Sequence, residues 1–201
     1  MGETGRPQVP PFPAERLLIL ATGSLGAAFL PYWLNWLRCS YPSLDVRVVV
    51  TRSAERFVSR QAIAALIGKD VPVDAWPDAP GPESPHVEYA SWADTVVVYP
   101  ATYHFLGRFA GGLADTPVLL ALQCTSALIG IAPALPPGAT TSYAYRRHRA
   151  AIEERPNVVV VDPVPVLSTH TRRQDALGAA PLPTLIERLV ELRATRGKEE
   201  Q

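Results

Sequence analysis

Arg16-Leu17-Leu18-Ile19-Leu20-Ala21 runs directly into Thr22-Gly23-Ser24-Leu25-Gly26. A short unbroken apolar run answers to a strand buried in a parallel sheet, and the small, hydroxyl-bearing residues after it answer to a strand-to-helix turn. Beyond the turn, Phe29, Trp33, Trp36 and Leu37 recur at three- and four-residue spacing across 27–38, the period of a helix packed on a sheet, with Pro31 in its first turn.

The same rhythm continues along the chain. Asp45-Val46-Arg47-Val48-Val49-Val50 is rich in β-branched residues and reads as a second strand, followed by Thr51-Arg52-Ser53-Ala54 and a helix over 55–66. Thr95-Val96-Val97-Val98-Tyr99 is a third strand ending at Pro100, with a helix over 87–92 leading into it. The apolar runs 118–123, 128–132 and 158–161 read as three further strands, and 105–113, 143–155 and 183–194 as helices. This alternation predicts an α/β domain: a three-layer α/β/α, doubly wound parallel sheet of flavodoxin or Rossmann type, with ligands at the carboxyl ends of the strands. A chain of 201 residues suits one domain, expected over 15–195. Residues 1–14, with Gly2, Gly5, Pro7, Pro10, Pro11 and Pro13, read as a flexible arm, and 196–201 as a disordered tail.

Lys and Arg total 19 and so do Asp and Glu, so the net charge offers no electrostatic reason for nucleic acid or an anionic membrane surface as partner. Cys39 and Cys124 are too few for a disulfide scaffold and form no CxxC, so no metal site is expected and a reducing cytoplasm fits. Cys124 reads as a small core residue at a strand end. The first residues hold no apolar run, so neither a signal peptide nor a membrane span is expected there.

The chemistry is expected where strand ends converge. Thr22, Gly23 and Ser24 after the first strand offer hydroxyls and backbone N–H groups to a phosphate, although a glycine-eased turn has the same composition. GxGxxG is absent, which argues against a dinucleotide in the usual orientation. Thr51 and Ser53 follow the second strand, with Ser53 equally suited to capping a helix. Pro100, Ala101 and Thr102 close the third. His86 stands after the proline-rich loop 71–85, a length of loop that is often functional, and an imidazole there suits proton transfer near neutral pH; an idle loop histidine is the plain alternative. Arg146, Arg147 and Arg149 follow a segment, 136–145, able to close over a peptide and pair its terminal carboxylate, or else form a solvated basic face. His148 and His170 are given no catalytic role, and Trp33, Trp36, Trp76 and Trp92 are read as packing residues or subunit contacts.

Three separated segments carry a family resemblance. His86-Val87-Glu88-Tyr89 through Thr95-Val96-Val97-Val98-Tyr99-Pro100-Ala101-Thr102 resembles the pattern of the homo-oligomeric flavin-containing cysteine decarboxylases, in which a catalytic His precedes a strand ending in Pro-Ala-Ser-Ala-Asn-Thr, at matching spacing. Gly107-Arg108-Phe109-Ala110-Gly111-Gly112-Leu113-Ala114-Asp115-Thr116 is similar to that family's Ala-x-Gly-x-x-Asp-Asn-Leu segment beside the flavin, and Thr22-Gly23-Ser24 to its first phosphate loop. The resemblance spans about residues 16–162. It implies FMN, with FAD as the alternative, accepting electrons from a cysteine to give a thioaldehyde that loses carbon dioxide readily and leaves an enethiol. It further implies a precursor peptide with a C-terminal cysteine as substrate, and a homotrimer or homododecamer with flavin near a subunit interface. On the residues it implies His86 as the acid/base group, with Thr22, Gly23, Ser24, Thr51 and Ser53 on the phosphate and ribityl chain. Pro100, Ala101, Thr102, Gly111 and Asp115 would then surround the ring system.

The departures are as informative. His104 stands where the family motif has its Asn, as a substitute donor or a sign of altered chemistry. Of the family's Pro-x-Met-Asn-x-x-Met-Trp substrate clamp only Pro133 and the apolar Leu135 correspond, so substrate recognition has diverged, with Arg146 as a candidate contact. The clamp Asn and nearby Cys of phosphopantothenoylcysteine decarboxylases are missing, which disfavours that role. The expected activity is oxidative decarboxylation of a peptide's C-terminal cysteine, as in lanthipeptide-like aminovinyl-cysteine formation. The alternatives are a flavin prenyltransferase-like enzyme and a catalytically inactive flavin-binding partner subunit.

Overall fold

The computed structural model describes residues 9–79, 82 and 84–199. Its centre is a five-stranded sheet built from β1 (Arg16–Ala21), β2 (Asp45–Val50), β3 (Thr95–Thr102), β4 (Leu128–Ala134) and β5 (Val158–Val160). The order is β2-β1-β3-β4-β5, every neighbouring pair parallel, which is the flavodoxin arrangement. Strand alternation explains the two cores. Leu17, Ile19, Val97 and Tyr99 face one layer, made of α1 (Leu30–Ser40), α2 (Arg60–Ile67) and α7 (Leu182–Glu199). Leu18, Leu20, Val96 and Val98 face the other, made of α3 (Pro85–Trp92), α4 (Tyr103–Ala110), α5 (Pro117–Cys124) and α6 (Tyr143–Glu153). Gly130 in β4 lets α7 lie close, since a Cβ there would stand 2.9 Å from Leu189 Cδ1.

Several expectations need correction. The run 118–123 is not a strand but α5, so the sheet has five strands rather than six. Its residues Val118-Leu119-Leu120-Ala121-Leu122 hold one β-branched side chain, and Thr116-Pro117 before them is a helix start: the Thr116 hydroxyl accepts from Leu119 N and proline occupies the first turn. Cys124 is therefore exposed at a helix end, not in the core. The helix expected over 55–66 divides into a 3-10 turn at Ala54–Arg56 and α2, because Ser59 opens a new helix by accepting from Ala62 N. An antiparallel hairpin of β6 (Val164–Val166) and β7 (Ala176–Gly178) went unread, its three-residue strands being too short to show a period.

Of the expected arm, 1–8 lie outside the described residues, whereas 9–14 run along the domain: Tyr41 OH donates to Pro10 O at 2.7 Å and Phe12 meets the Tyr41 ring edge-on. The stretch expected as a tail is helical through Glu199, where α7 ends.

Candidate functional site

The carboxyl edge of the sheet is drawn together by one buried hydroxyl. Thr22 is 2% exposed; its Oγ1 donates to Pro100 O at 2.7 Å and accepts from Thr102 N at 2.9 Å. Its side chain thus ties the end of β1 to the end of β3. Gly23 is obligatory for the next contact, because a Cβ there would lie 2.5 Å from Ser53 Cβ and Oγ and 2.9 Å from the Ser53 carbonyl carbon. The Gly23 backbone after β1 therefore packs directly against Ser53 after β2. Around that meeting point stand Ser24, whose Oγ accepts from Gly26 N at 3.2 Å, and the Thr51 and Ser53 hydroxyls, 3.1 Å apart. Three hydroxyls beside close-packed backbone form a cradle with the donor chemistry of a phosphate or polyol site.

Beside this cradle lies a cleft of about 830 Å³ between the first helical segment and the β6–β7 hairpin; Gly23 and Ser24 line it, and Thr51 and Ser53 stand behind its wall. Ser24, Thr102, His104 and Leu135 line it, and most of its wall is apolar: Phe29 and Tyr32 on one side, Val166 and Leu167 on the other. Thr102 caps α4 by accepting from Phe105 N, which presents His104, exposed, at the cleft mouth. Leu135 is anchored to the hairpin by two backbone hydrogen bonds with Leu177. Hydroxyls at one end and flat apolar walls at the other suit a cofactor with a phosphorylated polyol chain and a planar ring.

The other expected residues fall into two groups. Ala101 and Pro133 are buried partners in the β3–β4 register and form the floor beneath the cleft rather than its lining. Pro100 is buried and gives its carbonyl to Thr22. Arg146 is exposed on α6 and lies outside the cleft wall, while Arg149 is taken up by Glu153 and Asp162.

His86, Asp115 and Gly111 belong to a second cluster on the α3–α4–α5 side. His86 lies in the first turn of α3 with its ring 5.5 Å from that of Trp76, and it does not line the cleft. The Trp76 indole N–H donates to Asp115 O at 2.9 Å, and the Asp115 carboxylate pairs with Arg108, whose guanidinium holds that carboxyl below its ordinary range. Gly111 ends α4, and a Cβ there would be 3.1 Å from Gly107 O. Asp74, two residues before Trp76, is 9% exposed and accepts from Val118 N at 3.0 Å; burial raises its carboxyl above the ordinary value. Asp74 escaped the sequence reading, and Trp76 was read only as a packing residue or subunit contact. Their signal was position alone, inside the long loop already marked as functional.

The model of the Flavoprotein family matches residues 11–193. This chain belongs to the Flavoprotein family. The flavoprotein is 38% identical over 125 residues to the cypemycin cysteine dehydrogenase (decarboxylating) of a Streptomyces species, covering 62% of this chain and 66% of that protein. It is 36% identical over 91 residues to the coenzyme A biosynthesis bifunctional protein of Bacillus subtilis, covering 45% of this chain and 22% of the relative. The alignments thus span under two thirds of these relatives' own length. Over the whole fold, the crystal structure of the cypemycin decarboxylase CypD matches the flavoprotein with a TM-score of 0.77 at 30% identity, covering 94% of this chain and 98% of that one. The FMN-dependent cysteine decarboxylase SpaF matches with a TM-score of 0.73 at 27% identity, covering 89% and 97%. Among the described residues no helix is long and apolar enough to cross a membrane.

Proposed function

We propose that this flavoprotein carries out oxidative decarboxylation of the C-terminal cysteine of a ribosomally made precursor peptide, giving an enethiol. The observation that carries the reading is the cleft: a hydroxyl cradle beside an apolar slot whose mouth presents a histidine, in a chain whose similar proteins include a cypemycin cysteine dehydrogenase (decarboxylating) and the FMN-dependent decarboxylase SpaF. Ser24, Thr51 and Ser53 hold the phosphate and ribityl chain of FMN. Thr22 fixes the loop geometry from within. Thr102, which lines the cleft, and the buried Pro100 and Ala101 beside it would be the β3 residues nearest the ring system. Bound flavin would supply a two-electron acceptor, and with the cysteine at the thioaldehyde level the C–S double bond takes up the electron pair that departing carbon dioxide leaves behind.

The protein's own part is binding and proton handling. The apolar walls exclude water around the peptide terminus, and neutral polar groups at the mouth orient it. His104 donates to the substrate carboxylate as a replacement for an amide N–H. His86 takes and returns the proton at the cysteine. His86 and His104 do not share the cleft wall of one chain, and a homotrimer, alone or as the unit of a dodecamer, is the assembly in which a neighbouring copy brings the two together. Two free, exposed cysteines accord with a reducing cytoplasm.

The test is direct. Purified protein shows flavin absorption and removes about 46 Da, the mass of carbon dioxide and two hydrogens, from a peptide ending in cysteine. His86→Asn keeps the absorption and loses the mass change. A colourless protein that takes up no added flavin sinks the proposal, and a coloured protein inert towards a library of cysteine-terminated peptides removes the assigned substrate.

A further inference from the structure

We propose that Trp76 is a positioning residue for His86, linking that imidazole to the α4–α5 connection through one hydrogen bond and one ring contact. The inference rests on the assignment of His86 as the acid/base group. The Nδ1 atom of His86 is enclosed and has no hydrogen-bond partner among the described residues, so no described residue holds the ring through that nitrogen. The final torsion of a histidine side chain is broad, and a ring that must present one nitrogen to a substrate needs some other restraint. Packing supplies it. The Trp76 ring meets the His86 ring at 65° with centroids 5.5 Å apart, an edge-to-face contact. With Nδ1 enclosed, Nε2 is the nitrogen left for proton exchange.

Trp76 is itself held on both sides. Its indole N–H donates to Asp115 O at 2.9 Å, and its loop is stitched to the end of β2 by Val50 N to Pro72 O at 3.1 Å and Asp74 N to Val50 O at 2.8 Å. Asp74 reaches across to Val118 N, so the same loop also grips the start of α5. An indole left 42% exposed is poorly used as core filler, and its two specific contacts are what this placement delivers. Asp115 therefore serves through its backbone carbonyl, while its carboxylate is occupied by Arg108.

Three variants of the intact flavoprotein test this: Trp76→Leu, Trp76→Phe and His86→Asn, each assayed for bound flavin and for kcat and KM on a cysteine-terminated peptide. Trp76→Leu loses the ring and the N–H, and kcat falls about 10²-fold, the scale of a misplaced catalytic group, at unchanged KM and flavin absorption. Trp76→Phe keeps a ring against His86 and recovers most of that loss. Equal kcat in all Trp76 forms overturns the inference, as does a loss that appears only together with lost flavin. Should Trp76→Leu fail to fold, Trp76→Met takes its place: a kcat lowered at unchanged KM and flavin absorption supports positioning, and a wild-type kcat overturns it. An active His86→Asn overturns the role of His86 itself, whereas an inactive His86→Asn beside a fully active Trp76→Leu overturns the role of Trp76 only.

Discussion

Gly23 and Thr22 stand side by side in the sequence and do opposite things. The Thr22 side chain is spent inside the protein on Pro100 and Thr102, while Gly23 contributes by having no side chain where Ser53 arrives. A residue list drawn from a loop motif gives both the same role, and only the hydrogen-bond geometry separates the one that ties strands from the one that lets loops meet. Gly23→Ala forces a methyl group against the Cβ and backbone of Ser53, so the Ser24–Ser53 cradle has to part. We expect Gly23→Ala to fold, as judged by circular dichroism, and to purify with much less flavin absorption per mole than wild type. Retention of full flavin content would show that the cradle is not the phosphate site.

Helix α5 shows how an element can be misread and what then holds it. Five consecutive apolar residues satisfy a buried strand and a buried helix equally, and the deciding signal was the Thr116-Pro117 start. Its N-terminus is also gripped from outside by Asp74, whose carboxyl accepts from Val118 N. Burial raises that carboxyl above its unfolded value, so the sign is fixed: the folded state binds the proton more tightly, the contribution is present below about pH 4, and it is lost as pH rises through the folded value. At neutral pH the charge carries a desolvation penalty. Asp74→Asn keeps an acceptor for Val118 N and removes the charge, so urea midpoints measured across pH are expected to match or exceed wild type at pH 7, with the difference closing as the solution is acidified. Asp74→Ala leaves the Val118 N–H unpaired and is expected to cost about 1–3 kcal/mol in acid and less at pH 7, where the charge it removes carries the penalty. An Asp74→Asn variant that is less stable at pH 7 and recovers in acid would reverse the sign of this account.

At the scale of the molecule the two histidines raise the question of assembly, because His104 opens on the cleft and His86 on the α3–α5 side of the same sheet edge. Sedimentation velocity on the flavin-bound protein is expected to give a trimer or a multiple of it, and a monomer retaining full peptide turnover would refute the shared site. Most of the architecture was legible in the sequence: β1 to β3 and α1 are patterned by period and β-branched content, and the alternation of elements is enough for a parallel sheet between helical layers. Composition says nothing of the Tyr41 hydroxyl donating to Pro10 O or of a helix continuing past residue 195. Of the candidate site, the hydroxyls after β1 and β2 could be named from the chain because strand ends of a parallel sheet share one edge, whereas His86 lies in the first turn of α3, outside the cleft wall. The rest depends on contacts between residues far apart in the chain. Nothing local marks Thr22 as a tie, Trp76 as the neighbour of His86 and Asp115, or a hairpin closing the cleft over Leu135. The sequence by itself determined which segments are strands and helices at the long, periodic places, because burial imposes its period on each segment alone. The tertiary structure decided which side chains line the cleft, because that depends on where other segments have already used their hydrogen bonds.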